Sequence, residues 1–306
     1  MDRAELQDSA RKAFGEAGLV PGAEVSWQTL TEMGWFMMTV PEAQGGLGLG
    51  REAAAVIHYE LGRALVPGPA IAHMLVIEAL AATGQDELLT CAMNGALMTT
   101  DLCHGLDADK ASHILLVSDD RIALAAMAGA IRRETWDETR RLFDVTAGDE
   151  IELARGKEAA ALADRLRAQL LLMLSADALG GAEAALAMTI EYLKTRRQFD
   201  RPLAMFQALK HRVADLKISH SAAEALFWNR ATGTPTLAEI GALKAHCTTA
   251  YVRIAEEAIQ LHGGIGLTRE HPCHLFLKRA FLNCALGGDA DFHEENAGRA
   301  LMAKLT

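Results

Sequence analysis

Two short runs in this chain carry side chains that could hold an anionic ligand. Arg196 opens the run RRQFDRPLAMFQ at the end of a long apolar-periodic stretch, and the pair Gly263-Gly264 closes a later one. An arginine can grip a phosphate through two charge-assisted hydrogen bonds, and paired glycines let backbone amides approach a ligand closely. The same residues serve equally as a solvated helix end and a C-cap, and spacing alone does not separate these readings. Cys103-His104 and Cys273-His274 set metal-ligand types side by side. Adjacent residues with no second cluster nearby in sequence lack the spacing of a zinc site, so no metal is expected. The glycine-rich run PEAQGGLGLG, Pro41 to Gly50, follows no clear strand and matches no phosphate-binding motif; it reads as a turn between helices. Asp289, Asp291, Glu294 and Glu295 offer carboxylates near the end of the chain, and also the usual residues of an N-cap or a solvated tail.

These residues sit in 306, enough for two or three domains with a sizeable core, and half are hydrophobic. Forty acidic against 30 basic side chains give a formal charge of −10, which argues against nucleic acid as a partner. Five scattered cysteines without a CxxC pair, and a charged start with no secretory leader, imply reduced thiols and a cytoplasmic location. Unbroken apolar runs such as Leu170 to Leu174 are far short of a membrane span.

The elements that must position the two runs are mostly helical. Leu30, Met33 and Met37 recur at helical spacing before Pro41; Glu52–Leu65 and Ile71–Ala82 follow as amphipathic helices. Between about Leu88 and Glu150 the pattern changes: HILLVSD, RIALAAM and RLFDVTA read as strands of a small module. Glu158 to Lys194 is one apolar-periodic stretch, about 55 Å long as a continuous helix, which calls for partner helices in a bundle. Leu203–Ala231 gives the second bundle helix. Thr236 with Glu239 forms a capping box for the third, which carries Leu243, Cys247, Ala250, Ile254 and Ala258 on one side. Pro272 opens a fourth that reaches about Leu286, and a helical tail begins at Ala290. The expected organisation is a mainly α chain with a small β domain: helical residues 1–88, a reduced β domain 89–152, and a four-helix bundle 153–306.

This order resembles the acyl-CoA dehydrogenase fold, in which a β domain lies between two helical domains. YLKTRRQFDRPLAMFQALKHRVADL, Tyr192 to Leu216, resembles the family's arginine, Gln-Phe-Gly and Phe-Gln pattern at the bend between two bundle helices. Gln260 to Gly266 resembles its Gln-x-x-Gly-Gly-x-Gly, and PEAQGGLGLG its N-terminal loop. The resemblance spans the chain end to end and implies FAD as cofactor. It places Arg196, Gln198, Phe199, Gln207, Gln260, Gly263 and Gly264 at the adenosine and pyrophosphate end of FAD, reaching across a subunit interface. Asp200 departs from the pattern, where glycine is usual.

The family reaction removes an α-proton from an acyl-CoA thioester as the β-hydride leaves to the flavin, and the proton needs a carboxylate base. The family supplies a glutamate in a segment matched here by Ala285-Leu286-Gly287-Gly288-Asp289-Ala290, with Gly288 at the glutamate's position. The alternative family position, in the first bundle helix, falls on Leu170. Neither is a carboxylate. The β region also lacks the family's flavin-contacting segments. By resemblance the chain is therefore the non-catalytic subunit of a heteromeric, α2β2 acyl-CoA dehydrogenase, of the kind found among bacterial enzymes that degrade steroid side chains. A catalytic subunit would be its partner, and electrons would pass to an electron-transfer flavoprotein. Two alternatives stand beside this: a self-sufficient homo-oligomer using Asp289 or a nearby carboxylate as base, and a flavin-free structural homologue.

Overall fold

The computed structural model describes residues 2–15, 18–101 and 105–305; Cys103 and His104 lie outside them. Five helices come first: α1 (Arg3–Gly15), α2 (Ala23–Glu32), α3 (Gly50–Arg63), α4 (Ala70–Ala82) and α5 (Asp86–Met93). α2 stops short of the periodic Met33 and Met37, because Gly34 turns left-handed (φ 70°) and Trp35–Met37 tighten into a 3₁₀ turn. α4 is apolar on every face and buried almost throughout, as a helix at the centre of a domain must be.

The strands β1 (Thr99–Asp101), β2 (His113–Val117), β3 (Arg121–Arg132) and β4 (Phe143–Arg155) form one sheet in that order. β1 lies parallel to β2, and the other pairs are antiparallel. The expected boundary at 88/89 falls inside α5 and that at 152/153 inside β4, so continuous elements cross both of the divisions read from composition.

The bundle is built on α6 (Lys157–Thr195), unbroken across 39 residues, with α7 (Gln207–Thr232), α8 (Leu237–His262) and α9 (Cys273–Ala285); α10 (Ala290–Ala303) packs on α8. Gly180 does not interrupt α6. A side chain there would run into the carbonyl of Tyr59, and one at Gly62 into that of Asp177, so glycine on both helices lets α3 and α6 cross backbone to backbone. The capping box forms at Thr236 and Glu239, and Leu243, Cys247, Ala250, Ile254 and Ala258 are buried on one side of α8. By length and average apolarity α6 is the one helix among the described residues that could cross a membrane. Its most apolar window is 83% buried within the protein, which accounts for that apolarity as bundle core.

Sheet and bundle are locked by a buried ionic cluster from the β3–β4 loop, α6 and α9. The Arg279 guanidinium, fully buried, donates to Asp137 Oδ2 at 2.9 Å and to Thr139. Arg140 donates to Asp177 Oδ2 at 2.7 Å and to Asn283 Oδ1 at 2.7 Å, and Asn283 donates to Asp177 Oδ1 at 2.6 Å. Burial alone would raise the Asp177 carboxyl. Arg140 and Arg279 beside it hold it below the usual carboxylate range.

Candidate functional site

Arg196 is the first residue past α6. The chain then folds into a two-residue hairpin, Arg197–Gln198 against Arg201–Pro202, closed by the Leu203 amide donating to the Arg196 carbonyl at 2.8 Å. Its tip, Phe199 and Asp200, has φ of 51° and 62°, the double left-handed turn that suits the twist of a tight hairpin. This explains the family's glycine at the position of Asp200, and why aspartate, which tolerates the left-handed region, can replace it. Phe199 has no such tolerance. It stands 86% exposed at the tip, with Phe206 6.3 Å away as its ring neighbour, and the Arg201 guanidinium lies over Phe206 at 4.0 Å. Arg196 is exposed and its guanidinium has no partner among the described residues; Gln198 and Gln207, the latter at the start of α7, are exposed too.

The second run ends α8. Gln260 is exposed in its last turn, and Gly263 takes φ 67°, ψ −146°, a conformation open only to glycine. A Cβ at Gly264 would meet nothing within 4 Å. No hydrogen bond joins the side chains of the seven expected residues to one another. What ties their two runs together is a ring stack absent from the sequence reading: Tyr192, four residues before Arg196, lies 4.4 Å from His262, the residue before Gly263, at an interplanar angle of 27°. His271 packs on His262 in turn, 4.4 Å between centroids. Burial pushes both imidazoles down, so both are neutral at pH 7. The signal was within reach, since His262 stands inside the glycine motif itself.

A separate cavity of about 870 Å³ opens between the middle of α6, the start of α8 and the α9–α10 turn. Leu170 and Gly288 both line it, so the two positions that match the family's alternative base positions meet at one pocket. Its walls are otherwise largely apolar, with Leu171, Leu237 and Phe292. Among the described residues Asp119 is the single carboxylate in its lining, 82% exposed and paired with Arg167 at 2.6 Å. Gly288 has φ 100°, and a Cβ there would lie 2.7 Å from the Phe292 ring, so a side chain at that position would be strained and would have to displace the ring. The buried Lys244 ammonium fixes the turn, donating to the carbonyls of Cys284 at 2.8 Å and Gly288 at 2.5 Å; burial brings it down to about 8. Asp289 is exposed and committed elsewhere. Its Oδ1 accepts from the Phe292 amide at 2.9 Å as the N-cap of α10.

Comparison with known proteins agrees with this architecture. The acyl-CoA dehydrogenase N-terminal domain family matches residues 3–90 and the acyl-CoA dehydrogenase C-terminal domain family residues 171–302. The acyl-CoA dehydrogenase IpdE2 of Mycobacterium tuberculosis is 34% identical over 263 residues, covering 84% of this chain and 80% of its own. Among solved structures, a Tcur3481-Tcur3483 steroid acyl-CoA dehydrogenase variant superposes with a TM-score of 0.88 at 23% identity, covering 99% of this chain and 98% of that one. A chain of the ChsE4-ChsE5 complex from Mycobacterium tuberculosis does so at 0.84 and 22%, covering 99% of each. The chain belongs to the acyl-CoA dehydrogenase family, flavoprotein oxidoreductases whose cofactor is FAD.

Proposed function

We propose that this chain is the non-catalytic subunit of a heteromeric acyl-CoA dehydrogenase, completing the FAD site of a catalytic partner without supplying a base. The observation that carries this reading is the pocket at which Leu170 and Gly288 meet. Both base positions face it, and at Gly288 the left-handed backbone and the Phe292 ring disfavour any side chain. Asp289, the nearest substitute in sequence, is engaged as a helix cap. Proton abstraction is then the work of the partner.

Three features support a role at the nucleotide end of FAD. The Arg196 guanidinium is exposed and has no partner among the described residues, which leaves it open to a phosphate. Open space surrounds the Gly264 α-carbon, so a ligand can close on the backbone there. Phe199 is held out from the protein in a strained conformation that its own packing does not repay. Gln198, Gln207 and Gln260 add neutral amides beside these. Bound FAD supplies the hydride acceptor; this chain's residues would grip its adenosine and pyrophosphate across the subunit interface. The catalytic subunit, in an α2β2 assembly, would bind the acyl-CoA substrate and pass electrons to an electron-transfer flavoprotein. The likeness to two structures named for a paired or steroid enzyme supports both the heteromer and a steroid-derived acyl group.

The test is Arg196→Ala in the complex with the catalytic partner. Flavin retention after gel filtration should fall at least about tenfold, the loss of one charge-assisted pair, at unchanged native mass. Unchanged flavin content would return the chain to the flavin-free reading.

A further inference from the structure

The glycine-rich run from Pro41 to Gly50 has no part in either site above, yet it walls one side of a second cavity of about 560 Å³. Gln44 fixes the run in place, its Nε2 donating to the Ala81 carbonyl at 3.0 Å. The other walls are the start of α3, the end of α4 and the face of α6 that carries Arg165 and Gln169. Leu170, one residue on, turns to the apolar pocket instead, so α6 separates the two cavities. Gln169 is 7% exposed. Its amide has no hydrogen-bond partner among the described residues and is not sealed from solvent, so it opens on this cavity. A polar side chain buried to that degree normally finds a partner.

Around that amide the charges are ordered for an anion. Arg165 Nε pairs with Glu78 Oε1 at 2.8 Å, which leaves both terminal nitrogens of the guanidinium unengaged among the described residues. Arg51 donates through Nε to the Ala231 carbonyl at 3.2 Å and through Nη2 to that of Gly233, which leaves Nη1. No side chain among the described residues caps α3, whose first amides lie at Gly50 and Arg51 in the same wall. Two arginines against one carboxylate make the wall net positive. Burial raises the Glu78 carboxyl from its usual range, against the pull of Arg165 and Arg51. Glu78 Oε2 makes no hydrogen bond among the described residues and can accept from a hydroxyl. We propose that this cavity binds a sugar phosphate, with the phosphate on Arg51, Arg165 and the start of α3 and the hydroxyls on Glu78 and Gln169. A phosphate offers acceptors to several donors at once, which suits two guanidiniums and a helix start better than a carboxylate does. No aromatic ring among the described residues lines the cavity to stack a base, which sets a nucleotide aside.

The experiment is a calorimetric titration of the full chain with ribose 5-phosphate, ribose, inorganic phosphate and AMP. We expect ribose 5-phosphate to saturate at one per chain and ribose to give no binding. Inorganic phosphate and AMP should each bind more weakly than ribose 5-phosphate. Arg165→Gln, at an exposed position, should weaken ribose 5-phosphate by at least about tenfold, and Gln169→Leu by about threefold or more, with circular dichroism unchanged. Arg196→Ala, at the expected FAD end, should leave binding within about twofold. No saturable binding of ribose 5-phosphate, or binding that Arg165→Gln and Gln169→Leu leave untouched, would overturn the site. Binding lost with Arg196→Ala would move the ligand to the FAD end and overturn it as well. AMP or inorganic phosphate held as tightly as ribose 5-phosphate would overturn the sugar-phosphate assignment.

Discussion

Asp289 separates two accounts of the pocket at the level of a single side chain. As the N-cap of α10 it contributes the usual stability of such a cap, so Asp289→Ala should cost about 1 kcal/mol in thermal unfolding. Turnover of the complex should stay within about twofold, because the residue takes no part in the chemistry; a base would lose far more. A hundredfold drop in turnover would reinstate Asp289 as the base. The two glycines of the second run make a parallel contrast. Gly263→Ala forces a side chain into a conformation reserved for glycine and should cost about 1–3 kcal/mol. Gly264→Ala meets open space and should leave unfolding within about 0.5 kcal/mol of the parent. If FAD closes on that backbone, the same substitution still weakens flavin retention, which fluorescence of the released flavin would read. A silent Gly264→Ala would move the cofactor away from this turn.

Among the elements, the β3–β4 loop is held to the bundle by charge rather than by apolar burial. Removing one member of a buried ion cluster strands the others, so Arg279→Ala should destabilise the chain by about 3–5 kcal/mol in urea. A loss below about 1 kcal/mol would show the cluster to be well solvated. Nothing in the sequence announced it, since Asp137, Arg140, Asp177 and Arg279 come from three separate elements and meet only in the tertiary fold. The regular elements were legible for the opposite reason. The apolar period of α6 and α8 and the capping box at Thr236 are local signals, and local physics places them. α2 ends earlier than its periodicity suggests because a left-handed glycine outweighs the apolar spacing. The Arg197–Pro202 hairpin is too short to leave a periodic trace. The seven expected ligand-facing residues were readable only through the family pattern, and their mechanical link, Tyr192 on His262, is a contact that spacing cannot reveal.

For the molecule as a whole, buried histidines set the acid side of stability. His58 and His73 are fully buried, and burial brings each from 6.5 down to about 4. Unfolded, each titrates near 6.5, so between pH 6.5 and 4 the unfolded chain binds the extra protons and stability falls as pH falls. The slope is about 1.4 kcal/mol per pH unit for each histidine well inside that window. Asp177, held below its ordinary value, adds a further loss only below about pH 4. Urea midpoints at pH 7, 6 and 5 would check this, and a flat profile would mean that the two imidazoles accept protons in place.

The division of labour between subunits is the central claim, and flavin content with native mass tests it most directly. The chain is purified alone, then co-expressed with a full-length catalytic acyl-CoA dehydrogenase subunit. The account predicts little flavin on the chain alone, and in the mixed complex a heterotetramer with one FAD per pair of unlike subunits. One FAD per chain in a self-assembled oligomer that turns over acyl-CoA would contradict it.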